Sequence, residues 1–249
     1  MEVVIVFLFG LAVGSFLNVV IDRVPAGKSI NGRSQCDGCG RVLKWFELIP
    51  VVSLLVQKRR SACCQTPLSY QYPLVEMACG VLFVLTYQRF GLTDLWLFPL
   101  LAGLLSLFVI DLKTMYLPDR IVFPLIALAL VRLGISSLSN LGQLGYLWTL
   151  FGSLGIALFF LAIIFLTKGR GMGGGDVKLG FLLGLLVGWP SLMVALYLSF
   201  VIGGAVAAIL LLSHKKHLGQ QIPFGPFLIA GGLLALWFGE FLSALIIVV

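Results

Sequence analysis

The chain has 249 residues, 60% of them hydrophobic and only 11% charged, with a mean hydropathy of +1.09. That leaves too little polar surface for a soluble domain of this size, and a lipid bilayer is the solvent such a composition fits. The net charge of +7 comes without any basic run interleaved with aromatic residues. It therefore points to membrane topology and anionic lipid headgroups, and away from nucleic acid.

A bilayer core about 30 Å thick takes roughly 20 apolar residues per helix. Windows of that kind, bounded by charge or by Gly and Pro, run over 3–21, 73–90, 95–110, 120–135, 146–167, 177–189, 192–212 and 224–248. The expected fold class is an all-α polytopic membrane protein with about eight transmembrane helices, the sixth short for a full span. The first window starts at MEVV, with Glu2 and no Lys or Arg, and no small-x-small site follows before Asp22 and Arg23. It reads as an uncleaved helix in place of a signal peptide.

Residues 23–72 stand apart as a cytoplasmic loop domain that holds eight basic residues and four of the five cysteines. About 50 residues is marginal for a self-supporting core, so a metal, disulfides or packing on the membrane part is expected to hold it. The expected organisation is thus 1–22 as the first transmembrane helix, 23–72 as the loop domain, and 73–249 as a membrane core of about seven helices. With both termini outside, all but Arg89 and Arg132 of the 17 lysines and arginines fall at or near the cytoplasmic side, Lys58, Arg59, Arg170, Lys215 and Lys216 among them.

Five acids lie in or beside the later windows: Glu76, Asp111, Asp119, Asp176 and Glu240. A carboxylate near the bilayer centre costs about 2.5 to 3.5 kcal/mol, less near the interface, so each is a functional candidate. Asp111 closes the third window in FVIDLKTMYLPDR, and Asp176 opens the sixth in GRGMGGGDVKLG, so both sit at the same membrane face. Two carboxylates that met there would share one proton. The charged member then activates a water against a peptide carbonyl while the protonated member donates to its oxygen.

Asp176, Gly180, Gly184 and Gly188 recur every four residues, a stripe that admits another backbone. The run Gly171, Gly173, Gly174 and Gly175 leaves room for an extended substrate strand beside Asp176. The structural alternatives are that Asp119 caps the fourth helix after Pro118 and that Asp176 caps the sixth; a cap is the preferred reading for Asp119. His214 and His217 flank Lys215 and Lys216 and read as solvated, and Glu240 has no assigned role.

In chain order, GSFLNVVIDRVP (14–25), the Cys36 and Cys39 pair, WFELIP (45–50), YPLVE (72–76), the 111–119 segment ending in LPD, and GMGGGDVKLG (171–180) resemble the bacterial type IV prepilin peptidase family. The resemblance spans nearly the whole chain; GGGD alone would be weak. It implies an enzyme that cleaves the basic leader of type IV prepilins or pseudopilins after a glycine, at the cytoplasmic face of the bacterial inner membrane. The same enzyme then methylates the new N-terminal residue with S-adenosylmethionine. In that pattern Asp111 and Asp176 match the catalytic aspartates, with Gly173, Gly174, Gly175, Lys178, Asp119 and Glu76 as supporting or substrate-binding positions. The loop domain matches the part linked with methylation, where Glu47 would orient a positively charged amine. Without the resemblance Glu47 reads as a solvated loop acid, and no Gly-rich nucleotide motif signals a methyl donor.

Many family members carry two CxxC pairs in this loop, which suit a structural zinc. Here Cys36 and Cys39 form the first pair, but Ser61 stands where the second pair would begin, Cys64 where it would end, and Cys63 is adjacent. Cys63 is the candidate replacement ligand, giving Cys36, Cys39, Cys63 and Cys64 as the metal set. Cys79 reads as a small apolar residue facing helix or lipid. Glu76 pairs with a loop arginine, meets the substrate's leader charges or lies at the interface, and Asn18 and Arg23 tie the first helix to the loop. The rival function is a proton-coupled transporter, disfavoured because a carrier places its acids near the midplane and shows repeats.

Overall fold

The computed structural model describes residues 1–36, 38–53, 57, 60–139, 145–169, 172–213 and 222–247. Lys58, Arg59, Arg170, Gly171, His214, Lys215, Lys216 and His217, named above, lie outside the described residues, as does the side chain of Glu240. Among the described residues eight α-helices answer to the eight windows: α1 (Glu2–Arg23), α2 (Gln71–Phe90), α3 (Leu97–Thr114), α4 (Asp119–Ser139), α5 (Gly145–Leu166), α6 (Gly174–Val187), α7 (Ser191–Leu212) and α8 (Gly225–Ile247). The described residues contain no named strand, only two isolated bridges in the loop domain.

Five of the helices, α1, α3, α4, α5 and α7, are long and apolar enough to cross a membrane. The chain is a multi-pass membrane protein. Its outward faces carry Leu8, Phe16, Phe151, Leu158 and Phe165, all exposed, a pattern that only hydrocarbon satisfies. Helix α6 has 14 residues, a rise of about 21 Å, which falls short of the bilayer core. Helix α3 outruns its window because the apolar count stops at Ile110 whereas the backbone has no reason to stop there. The Thr114 hydroxyl still donates to the Ile110 carbonyl, at 2.9 Å. Termination comes at Met115, whose φ is +53°, three residues before Pro118.

The chain forms two compact units, Met1–Ser106 and Leu107–Val249. In the first, α1 packs on α2 through glycines. A β-carbon at Gly10 would lie 2.7 Å from the Gly80 Cα, and one at Gly14 would lie 2.6 Å from the Glu76 Cα. Cys79 is fully buried against this seam, so it faces a helix, not lipid. The Arg23 guanidinium donates to the carbonyls of Ser29, Ile30, Asn31 and Arg33, at 3.0 to 3.4 Å, and so straps the loop domain to the end of α1. Asn18 reaches the other way, its amide donating to the Tyr72 carbonyl at 3.1 Å.

In the second unit α6 is the central helix, with Leu179, Leu182, Leu183, Leu185 and Leu186 buried. The α6 glycine stripe faces α5. A β-carbon at Gly180 would meet the Phe160 ring at 2.6 Å, and one at Gly184 would meet the Ser153 Oγ at 2.6 Å. Helices α4, α7 and α8 also pack on α6. The short helix is thereby shielded on several sides by longer ones, and its first turn is held at a fixed place.

Candidate functional site

Asp111 occupies the last turn of α3 and Asp176 the first turn of α6. The two carboxylates are near enough for their charges to repel. Asp111 is 5% exposed, and its Oδ2 is buried without a well-formed hydrogen bond among the described residues. Gly225, the first residue of α8, lies directly against it, since a β-carbon there would come within 2.5 Å of that oxygen. Asp176 is half-buried, and its Oδ2 accepts the Gly173 N–H at 3.2 Å. Asp176 therefore does serve its own helix start, but that contact occupies only one oxygen of the pair.

The glycines before Asp176 divide by surroundings. A β-carbon at Gly175 would meet Leu117 at 3.1 Å, so packing accounts for that glycine. One at Gly174 would meet nothing within 4 Å, and one at Gly173 only the Asp176 carboxylate, at 3.8 Å. Packing does not demand glycine at these two exposed positions.

Asp119 corrects the expected cap. It lies inside the first turn of α4, and its Oδ1 accepts from the Lys178 ammonium at 2.6 Å. That pair ties α4 to α6 beside Asp176, and the same ammonium stands 5.1 Å from the centre of the Phe123 ring.

In the loop domain two short segments fold alike. Gln35 bridges Val42, and Arg60 bridges Pro67. The Cys36 N–H donates to the Arg41 carbonyl at 2.8 Å, as the Ser61 N–H does to the Thr66 carbonyl at 2.9 Å. The Gly40 N–H donates to the Cys36 carbonyl and the Gln65 N–H to the Ser61 carbonyl, each at 2.9 Å, with φ of +71° and +59° at Gly40 and Gln65. These are two copies of one knuckle-shaped turn, related by a shift of 25 residues, and Ser61 occupies the place of Cys36.

The four sulfurs of Cys36, Cys39, Cys63 and Cys64 lie within 4.8 Å of one another. A tetrahedral zinc with sulfur bonds of about 2.3 Å needs its sulfurs about 3.8 Å apart, so the donors fit. Buried Ser61 sits between two of them, its hydroxyl 3.2 Å from the Cys36 sulfur and 2.9 Å from that of Cys63. The hydrogen bond from Ser61 pulls the Cys36 thiol down to about 6. Cys39 is pushed up to about 12: the Arg41 N–H opposes the rise, but the neighbouring sulfurs, led by Cys63, drive it. Four thiols this close cannot all ionise by themselves, and a divalent cation removes the conflict.

Glu47 corrects the reading as a solvated acid. It is 8% exposed, paired with Arg41, and accepts the Lys44 N–H at 2.7 Å. The Lys44 N–H and the Arg41 guanidinium hold its carboxyl below the usual carboxylate range. Glu76, 7% exposed, pairs with no loop arginine among the described residues, where one sequence reading had such a pair. It accepts the Val51 N–H at 2.7 Å, at a residue whose φ is +60°, and a hydrogen bond from the Ser15 hydroxyl.

Two family models match the chain. That of the bacterial peptidase A24 N-terminal domain covers residues 8–90, and that of the type IV leader peptidase family covers residues 98–208. A prepilin leader peptidase/N-methyltransferase of Bacillus subtilis is 37% identical over 95% of this chain and 94% of its own length. Proteins of the same name from Stutzerimonas stutzeri and Pseudomonas aeruginosa are 33% and 32% identical, each over 94% of this chain, with 90% and 89% of their own lengths covered. The chain belongs to the type IV leader peptidase family.

No solved structure gives a significant match. In this leader peptidase the N-terminal model spans both knuckles, Glu47 and Glu76, and the peptidase model spans both aspartates. Gly225 lies beyond the second model and was not singled out from the sequence. Its signal was the IPFGPF run, where a glycine sits between two Pro-Phe steps at a helix start. The transporter reading finds no support in these matches.

Proposed function

We propose that this protein is a bifunctional prepilin leader peptidase and N-methyltransferase, with Asp111 and Asp176 as its proteolytic pair. The observation that supports the reading is that these two carboxylates, at the end of α3 and the start of α6, are near enough for their charges to repel, beside open backbone at Gly173 and Gly174. The pair holds one proton between them. Its ionised member takes a proton from water as the water oxygen attacks the scissile carbonyl carbon. Its protonated member gives a proton to the carbonyl oxygen, and the tetrahedral adduct collapses with proton delivery to the departing amine. No covalent bond to the enzyme forms.

The substrates are type IV prepilins or pseudopilins, each a membrane helix with a basic leader, docking laterally in the lipid with no part for nucleic acid. Lys178 and Asp119 fix the α4–α6 side of the site, and Gly173, Gly174 and Gly175 admit the extended segment around the scissile bond. The protein resides in the bacterial cytoplasmic (inner) membrane, with the site at the cytoplasmic face where its basic loops gather. S-adenosylmethionine, when bound, would supply an electrophilic methyl group for the new N-terminal amine. Glu47, immobilised by Arg41, positions that amine. Incubating the purified protein in liposomes with a prepilin and the methyl donor gives a product lacking the leader and carrying one added methyl by mass spectrometry. Glu47→Gln lowers methylation while cleavage continues; equal loss of both activities would reduce Glu47 to a structural role.

Cys36, Cys39, Cys63 and Cys64 hold a structural zinc that ties the two knuckles together, Cys63 serving where Ser61 has replaced the expected cysteine. Purified protein carries one zinc per chain, and Cys63→Ser lowers the zinc content and the thiolate-to-metal absorption of the cobalt-substituted protein. Restoring the symmetric arrangement with Ser61→Cys in a Cys63→Ala background recovers both. Full metal occupancy in Cys63→Ser would remove Cys63 from the ligand set.

A further inference from the structure

At one place the loop domain turns its apolar side chains outward. Trp45 is 77% exposed and Val52 50%, with Phe46, Leu48 and Ile49 exposed beside them, while the one acid of the stretch, Glu47, is buried against Arg41. Water favours the opposite arrangement, apolar groups in and carboxylate out, so the stretch is built to meet something apolar. The Trp45 and Phe46 rings pack edge to face with their centres 5.8 Å apart, and the Lys44 ammonium stands 5.8 Å from the centre of the Phe46 ring. Aromatic rings with a lysine at their edge are the side chains that settle where acyl chains meet headgroups.

Hydrogen bonds fix the level at which this stretch lies. The Gln71 amide donates to the Asp22 carboxylate at 3.3 Å, so the start of α2 is level with the end of α1. The Val51 N–H donates to Glu76 at 2.7 Å, and the Ser15 hydroxyl donates to the same carboxylate. By the rise of an α-helix, Glu76 lies about 7.5 Å along α2 from Gln71, and Ser15 about 10 Å back along α1 from Asp22. Val51 is therefore seated beside the helices and below their ends, against the apolar span of α1. At that level Phe16 on α1 and Leu74 and Met77 on α2 are exposed, so hydrocarbon already reaches it. The backbone suits the place as well. The N–H groups of Lys44, Glu47, Val51 and Ser53 all have partners: the Glu47 carboxylate, the Lys44 carbonyl, Glu76 and the Ile49 carbonyl. We propose that the segment Lys44–Val52 is an interfacial anchor, seated in the phospholipid leaflet on the loop side with Trp45, Phe46, Ile49 and Val52 among the upper acyl carbons and Lys44 at the headgroups. The bilayer then holds the loop domain from one side as Arg23 straps it from the other. The anchor is independent of which chemistry the loop domain serves.

The test uses the full chain in nanodiscs of phosphatidylethanolamine and phosphatidylglycerol, with two probes. A phospholipid carrying a photoactivated diazirine in its upper acyl chain needs no variant; after irradiation and peptide mapping, label on the peptide that holds Trp45–Val52 is the expected result. Trp45 emission, taken as the difference between the unmutated protein and Trp45→Phe, is expected to fall by at least about half in lipid brominated near the headgroup end of its chains, and to resist aqueous iodide. Phenylalanine keeps an aromatic ring at an exposed position, and the thermal midpoint reports whether the variant is folded. An unlabelled Trp45–Val52 peptide, or quenching of Trp45 by iodide in place of bromolipid, overturns the anchor and leaves the stretch in water. Protection from both quenchers overturns it too, because protein then covers the face. Bromolipid quenching that an added prepilin abolishes would make the face a docking surface for that substrate, and the lipid assignment falls.

Discussion

Asp111→Asn and Asp176→Asn each lower prepilin cleavage by about 10³-fold or more while the protein inserts and accumulates as before. The magnitude is that of removing a positioned acid or base from proton transfer, and the preserved folding follows from the geometry. An asparagine at 176 keeps an oxygen to accept the Gly173 N–H, so the start of α6 retains its hydrogen bond. An asparagine at 111 keeps the shape of a side chain whose Oδ2 makes no well-formed hydrogen bond in the described structure. Because the two carboxylates act as one proton-sharing unit, the double variant is barely worse than either single one. Mass spectrometry of the prepilin N-terminus, on protein matched for abundance, measures all three. Ordinary cleavage by either single variant removes the pair from the mechanism.

Both aspartates were legible because an acid at the edge of an apolar window is costly and therefore conspicuous. The same contrast made the helices readable, since the hydrocarbon requirement writes each span as an unbroken apolar run. What periodicity could not convey is which small residue meets which. Gly10, Gly14 and Gly80 form the α1–α2 seam, yet a glycine in an apolar helix looks the same in sequence whether it faces protein or lipid. The burial of Glu47 was hidden for another reason: it depends on Arg41 folding back across a single 3₁₀ turn (Trp45–Leu48). Glu76 likewise takes its partner from a loop residue in the left-handed region, which no propensity marks at a valine. The knuckle repeat lay in between. The first CxxC pair and the misplaced cysteine were visible as spacing, but that Ser61 reproduces the backbone of Cys36 while Cys63 joins the cluster of sulfurs is a property of the folded turn.

Gly225→Ala separates a packed site from a merely adjacent one, and it touches neither aspartate. The added β-carbon would stand 2.5 Å from the Asp111 Oδ2, 3.1 Å from its Cγ and 3.5 Å from the Leu179 side chain. Real carbon–oxygen contacts do not reach the first distance, and Asp111 has little free space into which its carboxylate could turn. Either the carboxylate rotates away from Asp176 or the start of α8 withdraws. Both outcomes misplace a proton-transfer group by a fraction of an ångström to an ångström, which costs about 10²-fold in rate. The stability cost is that of one overpacked methyl, about 1 to 3 kcal/mol, so the protein still folds. Gly204→Ala is the matched control, because it adds the same methyl to an exposed face of α7 where nothing lies within 4 Å; there the change leaves cleavage intact and slightly favours the helix. Equal cleavage by the two variants would mean that Gly225 does not set the Asp111 carboxylate. A selective loss in Gly225→Ala, with a normal zinc content, would place the start of α8 in the catalytic site as its third wall.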